Sequence, residues 1–145
     1  MIRFFFSLSQ WKRFILSLAY LSVVAFLELM PERLVPDFQF RGEDKLVHVC
    51  MYLGLTILAC WTFNAEKNHV RVPLIVLIIV IFGILMEIFQ FEMKWGRSFE
   101  WFDILANSLG VIFGTVLFLF FSKKMGRMGM GKNLKTKRES AEVYI

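Results

Sequence analysis

At 145 residues the chain has room for one domain. Hydrophobic residues make up 57% of it, only 20% is charged, and the mean hydropathy is +0.59, which excludes an ordinary soluble domain and points to an integral membrane protein. The net charge of +5 gathers mainly in the C-terminal tail beside a hydrophobic segment, a pattern of a membrane surface rather than of nucleic-acid binding.

Four apolar runs follow in chain order, at about Phe14–Met30, Leu46–Phe63, Val72–Phe91 and Ile104–Phe121. Each approaches the ~20 residues that cross a hydrocarbon core as helix. The chain therefore reads as an all-α, integral membrane bundle of four transmembrane helices. Residues 1–13 form a flank, 14–121 the membrane domain, and 122–145 a basic tail expected to be disordered because it lacks apolar periodicity. The first run has a basic segment before it and Val23-Val24-Ala25 as a weak cleavage signal, but it continues through Phe26, Leu27 and Leu29, so it is expected to be a retained span. Pro73 opens the third run, where a missing N–H does no harm. Cys50 and Cys60 share the second run, about 15 Å apart as helix, too far for a disulfide. They are expected to be thiols facing neighbours or lipid.

Lysines and arginines are unevenly divided among the flanks. The N-terminus, the second loop and the tail hold twelve, among them Arg3, Lys12, Arg13, Lys67, Arg71, Lys123 and Lys124. The first and third loops hold five: Arg33, Arg41, Lys45, Lys94 and Arg97. The positive-inside rule then puts both termini in the cytoplasm and the first and third loops outside.

Polar side chains recur at one depth. Asp44, His48 and Tyr52 are spaced four apart and form a stripe on the second helix. Gly83, Glu87 and Gln90 do so near the outer end of the third. Asp103, Asn107, Gly110 and Gly114 do so in the fourth. Gly110-x-x-x-Gly114 is a close-packing motif of membrane helices, and Gly83 is a further packing position. Ionisable groups in a bilayer cost roughly 2.5–3.5 kcal/mol each on insertion scales and mark functional positions by default. Three segments thus deliver polar groups to the outer rim, with Lys45 and Arg97 beside them. The charges nearly balance, so a buried ion-pair network is a competing structural reading.

Other residues read more simply. Glu28, at the outer end of the first run, is expected to reach water, and Trp61, Trp95 and Trp101 are expected to be interfacial anchors. Asp44, His48, Glu87 and Asp103 are donors suited to a hard or borderline metal, but Lys45 and Arg97 would compete for the carboxylates, so no metal and no cofactor are expected. Phosphate-loop and dinucleotide motifs are absent, and no Ser or Cys is spaced to act with His48 as a nucleophile.

Asp44-Lys45-x-x-His48-x-x-x-Tyr52, then Glu87-x-x-Gln90, then Gly96-Arg97 through Asp103-x-x-Ala106-Asn107-x-x-Gly110, resembles the VanZ-like membrane proteins over about residues 40–118. The resemblance implies a multi-pass protein of the bacterial inner membrane. The family is named for an accessory protein of glycopeptide-resistance clusters, linked to low-level teicoplanin resistance, and the resemblance supplies no reaction. Three functions are consistent with these residues. In the first, the outer pocket binds an anionic lipid headgroup or a lipid-linked cell-wall intermediate, with Lys45 and Arg97 on the anion and Glu87, Asp103 and Asn107 holding its shape. In the second, a membrane enzyme uses Glu87 or His48 as acid or base. In the third, the chain is a structural scaffold or partner subunit. The bilayer is the one partner expected under all three.

Overall fold

The computed structural model describes residues 8–31, 34, 42–63, 71–93 and 99–142, with side chains described only as far as residue 124. Four helices and no strand occur among them: α1 (Gln10–Glu28), α2 (Glu43–Thr62), α3 (Arg71–Met93) and α4 (Trp101–Glu142). All four are long and apolar enough to cross a membrane, α4 over Trp101–Lys124. The 19 residues of α1, the shortest, extend about 28 Å, close to the ~30 Å of a hydrocarbon core.

The helices begin earlier than the apolar runs. Polar first turns belong to them: Glu43 and Asp44 open α2, where the partial positive charge of a helix start favours carboxylates. Gly42 precedes them at φ 103°, a left-handed conformation that a side chain would strain. Pro73 lies in the first turn of α3, where backbone N–H groups have no intrahelical partner to lose. At the other end of the chain, α4 runs on to Glu142, which corrects the expectation of a tail without regular structure. A span that is already helical gains one hydrogen bond per added residue, and the Lys, Arg and Met of the tail are good helix formers.

The second helix is the centre of the bundle. It touches α1, α3 and α4, and packs most extensively on α4, whereas α1 and α4 make no contact among the described residues. Two glycines of α4 explain the close approach. A Cβ on Gly114 would lie 2.7 Å from the Leu53 carbonyl oxygen, and one on Gly110 would meet the Val49 carbonyl and come within 2.9 Å of the Tyr52 Cβ. Gly83 likewise faces the Tyr52 ring, which a Cβ would approach to 3.0 Å. Small residues let membrane helices gain contact where lipid offers no hydrophobic drive.

The outward faces are apolar, with Leu18, Val23, Phe26, Leu77, Ile78, Val116 and Phe120 all exposed, as a lipid-facing surface requires. Trp101 is exposed at the start of α4, but Trp61 is buried beneath Arg13 and is not an interfacial anchor. Cys50 is exposed and Cys60 buried, both as thiols.

Candidate functional site

Each helix sends polar side chains to the end of the bundle where α1 and α3 finish and α2 and α4 begin. From α2, Tyr52 is fully buried and its hydroxyl donates to Glu28 Oε2 at 3.3 Å. One turn nearer the rim, His48 Nδ1 lies 3.0 Å from Asn107 Oδ1 of α4 and 3.7 Å from Glu28 Oε1. The imidazole therefore ties α1 and α4 through α2.

Glu28 corrects the sequence reading. It is 1% exposed and does not reach water. The residues on its side of α1 form a stripe, Arg13, Ser17, Tyr20, Val24 and Glu28, at helical spacing. That stripe was the signal available in the sequence. As the last residue of α1, Glu28 also has a main-chain carbonyl beyond the intrahelical ladder, and Gln90 Nε2 of α3 donates to it at 2.7 Å.

A mirror arrangement joins α3 to α4. Glu87, 1% exposed, accepts the backbone N–H of Glu100 at 2.8 Å. Glu100 immediately precedes α4, so the Glu87 carboxylate satisfies a donor at that helix start and sits in the favourable end of its dipole. Glu100 is a second residue the sequence did not single out. It lies in a short polar break, with no helical stripe to place it.

Lys45 closes the rim. Its ammonium is 2.7 Å from Asp44 Oδ2, 2.5 Å from Glu100 Oε2 and 2.5 Å from Asp103 Oδ1. Oxygens of these three acids lie within 4.8 Å of one another, a grouping that could hold a metal ion and that here surrounds the lysine. The donors brought together are thus Asp44, Glu100 and Asp103, while His48 and Glu87 turn to Asn107 and the Glu100 N–H. Asp44 and Glu100 are exposed at the rim; Asp103 is buried. Arg97 lies outside the described residues, as do Gly96 and Trp95. The other predicted positions, Asp44, Lys45, His48, Tyr52, Glu87, Gln90, Asp103 and Asn107, gather at this one end.

The described part of the site is rich in acid. Glu28, Asp44, Glu87, Glu100 and Asp103 face a single lysine and one histidine. It can accept hydrogen bonds from hydroxyls or amines, and it can offer a cation only where Lys45 exchanges one of its carboxylates.

The VanZ/LLP1 family model matches residues 1–122, so the match reaches further toward the N-terminus than the motif-bearing segment and takes in all of α1. Among curated proteins, the chain is similar to "Uncharacterized protein C11E3.10" of Schizosaccharomyces pombe (strain 972 / ATCC 24843), 29% identical over 104 residues that cover 72% of this chain. The aligned segment spans 60% of that relative's length. No solved structure matches. With the four apolar helices and the polar stripes assembled as described, the match over residues 1–122 shows that this chain belongs to the VanZ/LLP1 family, as a multi-pass membrane protein.

Proposed function

We propose that the chain binds a lipid headgroup, or the headgroup of a lipid-linked cell-wall intermediate, at the polar end of the bundle. One observation carries this reading: His48, Glu87, Gln90 and Asn107, from three different helices, converge there with Glu28 of the fourth, each 4% exposed or less. Ionisable groups at membrane depth are costly unless they face partners or a cavity. In this role the amides and buried carboxylates shape the chamber and accept hydrogen bonds from the ligand. Lys45 contacts the anion by releasing Asp44 or Glu100, its two exposed partners, and Arg97 supplies the second cation. The distribution of Lys and Arg turns this end outward, toward the periplasm of a bacterial inner membrane, with both termini in the cytoplasm.

Native mass spectrometry of the gently extracted protein tests the proposal. Wild type should carry a bound lipid that Arg97→Ala loses while remaining folded. Equal lipid on a folded Arg97→Ala protein overturns the reading. If the ligand is a wall intermediate, expression of the chain should also change the host's glycopeptide susceptibility.

A second reading rests on His48, whose ring is oriented between a carboxylate and an amide in the manner of an acid–base imidazole. A membrane enzyme acting on a lipid-linked substrate would use His48 or Glu87. Turnover should then disappear in Glu87→Gln with the fold retained, and full in-cell function of that variant would rule this reading out.

A further inference from the structure

The opposite end of the bundle is built differently. There Arg13 is buried, and its Nε donates to the Leu8 carbonyl at 3.1 Å and its Nη1 to the Trp61 carbonyl at 3.2 Å. The guanidinium also stacks 4.9 Å from the centroid of the Trp61 ring. Ser17 and Thr62 share a hydrogen bond of 2.6 Å, and the Thr62 hydroxyl donates to the Arg13 carbonyl at 3.3 Å. These contacts clamp the start of α1 to the end of α2.

Beside the clamp lies an open groove of about 440 Å³, lined by Gln10, Trp11, Phe14, Thr62 and Phe63. The clamp fixes the spacing of its two walls. Its aromatic lining is exposed, Trp11 most of all at 77%. The Trp11 and Phe14 rings meet edge to face at 6.4 Å. Basic residues stand near it: Lys12 follows Trp11 in the first turn of α1, and the exposed Arg71 donates to the Phe63 carbonyl at 2.7 Å on the groove wall. No carboxylate occurs among the described side chains at this end, whereas the other has seven, Glu43 and Glu92 besides the five of the site. An aromatic trough at a helix-end interface, with basic and no acidic side chains near it among the described residues, fits an amphiphile with an apolar chain and an anionic head.

We propose that this groove is a second lipid site, separate from the polar chamber. It holds one anionic phospholipid of the leaflet that faces the chain's termini. An acyl chain lies along Trp11, Phe14 and Phe63, and the phosphate meets Lys12 and Arg71.

Native mass spectrometry of the full chain, equilibrated with equal amounts of phosphatidylglycerol and phosphatidylcholine of the same acyl chains, tests the proposal. Wild type should retain one phosphatidylglycerol in preference to phosphatidylcholine. Lys12→Gln/Arg71→Gln, two changes on exposed side chains, should reduce that preference about thirtyfold, since each basic residue near a membrane surface is worth roughly 1 kcal/mol. Gln10→Trp, which fills the groove, should reduce retention as well. Lys135→Gln/Lys137→Gln/Arg138→Gln should leave it unchanged. Equal retention of the two lipids by wild type overturns the proposal. So does a preference that survives Lys12→Gln/Arg71→Gln, or one that falls only with the tail charges. A phosphatidylglycerol lost in Arg97→Ala but kept in Lys12→Gln/Arg71→Gln belongs to the polar chamber, and overturns the groove while sparing the proposed function.

Discussion

The two ends of the bundle both bury charge, and they do it with opposite chemistry. At the polar end, α2 and α4 begin, and carboxylates sit at their starts: Asp44 in the first turn of α2, Asp103 in the first turn of α4, and Glu87 on the N–H just before α4. At the groove end, α2 finishes, and arginines donate to its last carbonyls, Arg13 to Trp61 and Arg71 to Phe63. For α2 and the start of α4, acids meet orphan N–H groups and cations meet orphan carbonyls, which suits those helix dipoles. Glu28 at the end of α1 and Arg71 at the start of α3 run against their own helices' dipoles, so the comparison teaches that the central helix and its closest partner, not every helix, set where charge is placed.

The largest disturbance should come from between the two ends. Gly110→Leu puts a side chain where the Val49 carbonyl and Tyr52 Cβ already lie, so α2 must leave α4. We expect a loss of about 3 kcal/mol or more, seen as a collapse of the folded, monodisperse fraction on size-exclusion chromatography in detergent. A well-folded Gly110→Leu protein would mean that the helix pair is not held by this contact.

At the groove end, Arg13→Ala removes two hydrogen bonds and the stacking on Trp61 at once. A drop of about 2 kcal/mol in thermal-shift stability is expected, and Arg13→Lys should recover little of it, because an ammonium lacks the planar fork. At the polar end, Lys45→Met leaves Asp44, Glu100 and Asp103 facing one another. It should cost about 1–2 kcal/mol, and millimolar Ca²⁺ should raise the melting temperature of this variant but not of wild type. Equal response of the two proteins to Ca²⁺ would show that the three acids do not depend on the lysine. Tyr52→Phe, which deletes only the hydroxyl donor to Glu28, should cost about 1 kcal/mol in the same assay. The smallest effect is a labelling difference without loss of fold: in the detergent-solubilised protein at alkaline pH, a maleimide should modify exposed Cys50 faster than buried Cys60, read by intact mass.

The four spans were legible because each needs a long apolar run, and hydropathy reads that directly. Their edges were less so, since Glu43 and Arg13 are charged yet helical, held by dipoles and partners that appear only in three dimensions. In the site, His48 with Tyr52, Glu87 with Gln90 and Asp103 with Asn107 could be placed because helical spacing puts each pair on one face. Glu28 was misplaced because its neighbours Tyr52 and Gln90 lie 24 and 62 residues away. Lys45 was identified as an anion contact, but its reach to Glu100, 55 residues on, depends on how α2 and α4 align. The long α4 was missed for a different reason, as its continuation from residue 122 draws on helix propensity rather than on a pattern of burial.

The first helix is attached in an unusual way. Much of its surface is apolar and turned outward, and it is pegged to the rest by the Arg13 clamp, by the Tyr20 hydroxyl on the Met51 carbonyl and by Tyr52 and Gln90 on Glu28. Because α1 and α4 make no contact among the described residues, α2 stands between them, and at the polar end the Glu28–His48–Asn107 chain links the two. The bilayer therefore meets the central helix itself, at exposed Leu46 and Cys50, rather than a fourth packed neighbour.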